Sequence, residues 1–448
     1  YDDCDADYAE LFAAMESKQG PMQSALNSIC TPADGTLRLV NFAGQTRHDD
    51  LVEFVSDADL NGAAVRTEIG STALQSVVRA DGSTCYVAPV SEVPAMGWCS
   101  AQIIAAKEAP NSSLSVSEEL LENDLITIRF DRAGEITSIF DKTLGRELVQ
   151  AGKRANQLIA YEDKPKAYDA WDIEDYFEEK SWSLSDAPTT IEVVETGPHR
   201  AALRIERSYA SSRFVQVISL RDGQKQLEFD TEVDWQERQT LLKTGFPLDL
   251  NVSETRGEIQ FGHVKRSSHK NTSWDQARFE TCMHRWVDMS EPDFGASFMT
   301  DCQYGYDAVD QTVRFRYAIL LHQDEQDLSQ VVQAAERFNN PVMVLGQAGE
   351  STQKRPALEK AFSFISSDSS NLSIETVKQA EVGTDVVVRV YEHSNRRSTA
   401  SLRFGLPVRS VVETDLEVTD NSVGLTFRPF EIKTLKVSFD QQNRLREG

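Results

Sequence analysis

The chain has 448 residues, 40% of them hydrophobic, with 46 Lys plus Arg against 71 Asp plus Glu and a formal charge of -25. That size is ample for a packed core and predicts about two to four domains. A field this acidic repels polyanions, which disfavours nucleic acid and acidic membrane surfaces as partners and suits a neutral substrate. There is no run of about 18 or more apolar residues, so no helical membrane span is expected and no apolar signal segment opens the chain. The six cysteines, Cys4, Cys30, Cys85, Cys99, Cys282 and Cys302, are scattered without C-x-x-C spacing. That pattern argues against a zinc ribbon or a dense disulfide framework. It reads instead as free thiols in a reducing compartment, hence a cytoplasmic location. Four Asn-x-Ser/Thr sequons, at Asn111, Asn251, Asn271 and Asn371, are no more than a Ser-rich chain of this length gives by chance.

Residues 1 to about 29 read as a helix, because Tyr8, Leu11, Phe12 and Met15 recur at the spacing of one buried face. Asp2, Asp3 and Asp5 suit the positive end of its dipole. Thr31-Pro-Ala-Asp-Gly stops it, and residues 37–42, 51–55 and 85–90 then read as strands of a small β-sandwich over 31–107. A linker is expected at 108–114. After it, residues 125–131 and 135–141 alternate around Arg132-Ala-Gly, the pattern of a hairpin. Strands recur at 191–195, 200–207, 214–220 and 227–235, so a large all-β domain is expected over 108–345. Residues 328–338 suggest an amphipathic helix stopped by Asn339-Asn340-Pro341. A polar linker at 346–355 leads into a last small β domain over 346–448, with strands at 386–391, 399–404, 408–413, 424–427 and 434–439. The fold class is therefore mainly β and multi-domain.

Three stretches carry candidate chemistry. In 167–179, Tyr168, Trp171 and Tyr176 stand among Asp169, Asp172, Glu174 and Asp175. Aromatic faces stack on the apolar side of a pyranose and carboxylates accept hydroxyl protons, so the composition fits a sugar-facing loop. It equally fits a solvated acidic loop with anchoring aromatics. Residues 261–291 hold three of the seven histidines (His263, His269, His284), two of the six tryptophans (Trp274, Trp286) and five Arg or Lys in a region that alternates poorly. Such groups are costly to bury unpaired, so a polar cleft is one reading and a structural network of core tryptophans, satisfied histidines and an Asp275–Arg278 ion pair is the other. Finally, Asp301, Tyr304 and Tyr306 sit among Gly295, Ala296 and Gly305, as expected of a strand ending in a tight polar loop.

The succession of Phe261-Gly-His, His269-Lys-Asn-Thr-Ser-Trp-Asp, Ala277-Arg-Phe-Glu and His284-Arg-Trp-Val-Asp-Met-Ser-Glu resembles the C-terminal part of glycoside hydrolase family 38 α-mannosidases, in the bacterial and cytosolic-type branch. The resemblance continues in Asp301-Cys-Gln-Tyr-Gly-Tyr-Asp, Ala335-Glu-Arg-Phe-Asn-Asn-Pro and Arg428-Pro-Phe-Glu-Ile-Lys-Thr-Leu. It implies that 1–30 is the end of a helical bundle and that 108–345 is a β-supersandwich akin to galactose mutarotase. It further implies hydrolysis of terminal non-reducing α-mannosides with retention and a divalent metal, usually zinc, in the complete enzyme. The family keeps its nucleophile, acid/base carboxylate and metal ligands on an N-terminal β/α-barrel or on the helical segment just after it, and those motifs are not found here. The resemblance therefore assigns this chain no catalytic residue and no metal ligand. It would buttress the barrel and contribute substrate contacts from Trp171, Asp172, His269, Asn271, Trp274, Asp275, Arg278, Asp301 and Tyr304. Expected partners are α-mannosides or oligosaccharides and the barrel, with a homo-oligomer also possible. Two departures stand out: Gln45 where the family commonly has Trp, and a short connection from Asp307 to Thr312 at the rim of the pocket. Two rival readings are a freestanding carbohydrate-binding or scaffolding module, and a mutarotase-like epimerase using His269 with Asp275.

Overall fold

The computed structural model describes residues 36–79, 82–107, 110–168, 172–301, 311–323, 328–346, 361–413 and 418–440. The predicted opening helix, Trp171, Tyr304, the 307–312 connection up to Asp310, and most of the 346–355 linker lie outside them. Strands dominate the described residues, in two compact units.

The first unit comprises residues 1–109, 341–366 and 403–407. One of its sheets runs in the order Met343–Leu345, Thr36–Asn41, Gly97–Ala105, Ala63–Arg66, Ser71–Ala73, with Ala361–Ser363 also paired to Gly97–Ala105. A second joins Arg47–Val55, Thr84–Val93 and Gln75–Val78. Leu37, Leu39, Val65 and Ala101 from the first meet Val52, Val90 and Val93 from the second in one buried cluster. This is how strands with one apolar face satisfy it. Gln45, at the first departure from the family pattern, offers its carbonyl to the Asn41 amide at 2.8 Å.

The second unit comprises residues 110–340, 367–402 and 408–448. Its largest sheet is antiparallel, in the order Thr189–Thr196, Arg200–Tyr209, Ser212–Arg221, Gln226–Trp235, Gln311–His322, Gly295–Thr300, Trp286–Ser290, Glu254–Ile259, Gly262–Ser267. Strict alternation in Gln226–Trp235 sends Leu227, Phe229, Val233 and Trp235 inward and leaves Glu228, Asp230, Glu232 and Asp234 on the other face. The inward face packs on the sheet built around Ile126–Phe130 and Ile136–Asp141, where Leu121, Ile126, Ile128 and Ile139 meet Leu203, Ile218, Phe229 and Ile319. The predicted hairpin is present, turning through Gly134 at a φ of 70°, a conformation glycine adopts without strain.

On the opposite face, the helix Ser329–Asn339 lays Val331, Val332, Ala335 and Phe338 on Trp286, Met299, Ala318 and Leu320. Those four positions follow helical periodicity, and Pro341 beyond the helix end prevents its continuation. A four-stranded sheet, Leu372–Gln379, Val386–Glu392, Ile432–Phe439, Val408–Val412, docks on the edge hairpin of the large sheet. His263 joins the Phe430 ring at 5.0 Å and bonds the His393 carbonyl through Nδ1 at 3.1 Å, while Phe261 meets Tyr391 edge to face at 5.5 Å.

Candidate functional site

Two stretches far apart in sequence are brought together here. Phe177, only 3% exposed, is the anchor. Its ring packs edge-on to Tyr161 at 5.2 Å and against Phe279 at 5.9 Å, with the Lys243 ammonium 4.2 Å above it. Lys243 also pairs with Glu280. The acidic, aromatic loop around 172–179 is thus fastened beside the segment that follows Trp274. Its own polar groups fix the loop further. Tyr176 Oη donates to the Lys164 carbonyl at 3.1 Å, Glu174 accepts the Lys166 N–H at 3.1 Å, and Glu162 receives both Lys164 and Lys180. Lys180 lies 5.2 Å over the half-exposed Trp182 ring. Asp172 and Tyr168 are left facing solvent.

The central motif folds into a short helix, Ser273–Ala277, started by a capping box. Thr272 Oγ1 accepts the Asp275 N–H at 3.2 Å, and Asp275 Oδ2 accepts the Thr272 N–H at 3.2 Å and hydroxyl at 2.7 Å. Asp275 Oδ1 takes the Ser267 hydroxyl at 2.9 Å, and His269 Nδ1 lies 3.6 Å from Oδ2. The Thr272 and Ser267 hydroxyls, with His269 adding its charge, hold the Asp275 carboxyl below the usual carboxylate range. Asp275 is therefore an organiser of the turn. What the turn presents is Trp274, 74% exposed, flanked by exposed His269, Asn271 and Arg278. A solvent-facing indole among an imidazole, an amide and a guanidinium can stack on a sugar ring and exchange hydrogen bonds with its hydroxyls. Asp275 makes no ion pair with the Arg278 side chain among the described residues. The contact between the two is the Arg278 N–H donating to the Asp275 carbonyl at 3.2 Å.

Asp301 is placed apart from this turn. It follows the strand Gly295–Thr300, where Oδ1 accepts the Arg316 N–H at 2.7 Å and Oδ2 the Arg316 Nε at 2.9 Å. Arg316 in turn covers the Phe338 ring at 4.8 Å. The registers put Asp301 beside Arg285 and Glu258, at the turn end of the edge hairpin, whereas Ser267 and Asp275 lie at its open end.

Two buried clusters escaped the sequence reading. Asp288, with a fully buried carboxylate, accepts Arg256 Nη2 at 2.6 Å, Ser297 Oγ at 2.8 Å and Ser290 Oγ at 2.9 Å, with His322 Nε2 2.9 Å away. Burial opposes its ionisation, but the contacts from His322, Arg256 and Ser297 outweigh it and keep the carboxyl below its usual range. The second cluster is Glu258 with Arg285, joined through Nε at 3.0 Å and Nη2 at 2.5 Å, with the Arg285 N–H adding a third bond at 2.7 Å. Burial disfavours the Arg285 charge, yet Glu258 overrides that and raises its pKa. Both sets lie within or beside the motif at 284–291, but sequence alone does not say which charged residues face inward.

Among the described residues no three His, Cys, Asp or Glu side chains gather as a metal donor set, so these residues do not fit a zinc ion. No helix among them is long and apolar enough to cross a membrane.

This architecture has relatives. Residues 121–319 match the glycosyl hydrolases family 38 C-terminal domain, and residues 371–435 match the glycosyl hydrolases family 38 C-terminal beta sandwich domain. The chain thus belongs to glycoside hydrolase family 38 through its C-terminal domains. It is 34% identical to alpha-mannosidase 2C1 of Homo sapiens over 349 residues, which is 70% of this chain and 33% of that protein. With alpha-mannosidase G of Dictyostelium discoideum it shares 31% identity, over 71% of this chain and 32% of the relative. The chain spans about a third of the length of these curated relatives. An alpha-mannosidase from Enterococcus faecalis V583 shares the fold, with a TM-score of 0.69 at 14% identity, over 90% of this chain and 56% of that one.

Proposed function

We propose that this chain serves an α-mannosidase that releases terminal non-reducing α-D-mannose with retention. It contributes substrate contacts and the surface against which a catalytic barrel rests. The observation that carries this reading is the coincidence of the family 38 C-terminal match with a solvent-facing Trp274 turn fastened beside the acidic loop at Phe177 and Phe279. In it, Trp171 or Trp274 supplies a stacking face or a wall of the cleft. Asp172, His269, Asn271, Arg278 and Tyr304 orient sugar hydroxyls, Asp275 holds the Trp274 turn in place, and Asp301, held by Arg316 apart from the turn, stands outside this group.

Retaining hydrolysis needs two carboxylates about 5–5.5 Å apart, one nucleophilic and one acting as acid and base. We place that pair, and a divalent metal such as zinc, on polypeptide outside these 448 residues, in a cytoplasmic enzyme. Bound there, the metal would orient the sugar and polarise its hydroxyls.

The test is hydrolysis of a chromogenic α-mannoside by the purified chain and by protein extended through the preceding coding region, each with and without zinc or cobalt. Turnover only by the extended protein, lowered at least tenfold by Trp274→Ala, is expected. Metal-dependent turnover by the 448 residues alone would overturn the assignment of the catalytic groups, and a Trp274→Ala variant of full activity would overturn the role of the turn.

A further inference from the structure

The edge hairpin turns through Gln260 and Phe261, and Phe261 has a φ of 59°. That left-handed conformation favours glycine or asparagine, so an aromatic residue there is kept by contacts outside the turn. Its ring rests edge-on against Tyr391, 5.5 Å away. Beside the ring opens a cavity of about 240 Å³. Glu258, Phe261, His284 and Arg285 come from one family-matched region, and Glu375 and Tyr391 from the other.

The lining narrows the ligand class. Glu258 and Glu375 outnumber Arg285 in a chain of charge -25, which disfavours an anion. Arg285 occupies the Glu258 carboxylate through Nε, Nη2 and its backbone N–H, so an incoming cation finds one further carboxylate, Glu375, against the several oxygens that hard cations require. An apolar guest would strip water from Glu375 and His284 without replacing it. A neutral polyol with one apolar ring face meets all of these groups. The half-buried Phe261 offers its ring, Arg285 Nη1 takes no part in the Glu258 bridge and donates, exposed Glu375 accepts, and His284 does either. The volume falls below the roughly 300–1,000 Å³ of sites for drug-sized ligands, which limits the guest to one ring.

We propose that this cavity is a monosaccharide subsite, holding one pyranose unit of a neutral glycan, separate from the Trp274 turn. The separation follows from the hairpin register. Glu258 and Phe261 stand at its turn end, while Ser267, which holds Asp275, stands at the other. The proposal rests on the carbohydrate reading above and extends it to a second place on the chain.

Saturation-transfer NMR with methyl α-mannoside, glucose and galactose at millimolar concentrations tests it on the purified chain. Glu375→Gln removes a surface acceptor and should leave the unfolding midpoint unchanged, whereas Phe261→Gly suits the backbone but loses the packing on Tyr391, so its binding is read well below its own unfolding midpoint. Each is expected to weaken binding at least fivefold. Binding that survives both pocket variants and disappears in Trp274→Ala would overturn the subsite and spare the carbohydrate reading. Absence of binding by the unaltered chain would overturn the subsite alone, since the hydrolysis assay on the extended protein judges the α-mannosidase reading independently.

Discussion

At Asp288, groups from four strands of the large sheet converge on one carboxylate: Arg256, Ser290, Ser297 and His322. A buried charge is tolerated when each of its lone pairs is used, and removing one partner of such a set costs about 3–5 kcal/mol. Asp288→Asn keeps the shape but deprives Arg256 of its carboxylate, so a loss of about that size is expected in the unfolding free energy from urea titration. A change below 1 kcal/mol would show that the cluster is dispensable. The sequence displays these four partners at spacings of 32, 2, 9 and 34 residues from Asp288, and nothing in such spacings says that they meet. His263, by contrast, was legible as either part of a polar cleft or a structural histidine, and its burial between Phe430, Trp286 and the His393 carbonyl makes it structural. Trp286 likewise lies in the core, 1% exposed, whereas Trp274 is 74% exposed. Both were equivalent in composition, and only their neighbours distinguish them.

At the scale of elements, periodicity carried the reading well where one face is buried. Gln226–Trp235 and Ser329–Asn339 match the expected spans within a residue or two because alternation and the 3.6-residue repeat are direct images of a sheet face and a helix stripe. The strands Ala63–Arg66 and Gly97–Ala105 were missed. The first is only 4 residues long, and the second mixes polar and apolar positions, so neither gives a strong pattern. In the central motif the short helix Ser273–Ala277 buries no side chain, so its stability rests on the capping box. Thr272→Ala is expected to cost about 1 kcal/mol locally. It should speed amide exchange across the turn while moving the global unfolding midpoint little, and unchanged exchange would mean that Ser267 and His269 hold the turn unaided. The helix Ser329–Asn339 behaves oppositely, as its stability comes from the sheet beneath it. Phe338→Ala removes a ring that fills this interface and carries Arg316, so a loss of about 3–5 kcal/mol is expected in chemical denaturation. A cost under 1 kcal/mol would mean that the cluster closes over the gap.

For the molecule as a whole, the ionisable groups set a two-step response to acid. Burial lowers the His263 pKa, so the neutral ring is favoured in the fold. Its contribution is full above about pH 6.5 and is lost as pH falls toward the depressed folded value. Burial also works against the Asp141 charge, but Lys225, Thr143 and the Leu144 N–H prevail and lower its pKa, as the partners of Asp288 do for that residue. Those two contribute fully above about pH 4 and lose their effect as pH falls through their folded values. Unfolding free energy should therefore be flat between neutrality and about pH 8, decline gently below pH 6.5, and fall steeply below pH 4. His263→Gln should remove the first step and leave the second; a first step that persists in the variant would assign it to other histidines. The sequence by itself determined the mainly β class, the strands with one buried face, the acidic field that suits a neutral substrate, and the family motifs, because each is written in local order or in composition. Only the tertiary structure decided that the two units interleave along the chain, that Phe177 brings the acidic loop to the Trp274 turn, and that Glu258, Arg285, Glu375 and Tyr391 enclose one cavity. These juxtapositions depend on strand pairing between residues far apart in the chain, and no local pattern encodes which distant strands pair.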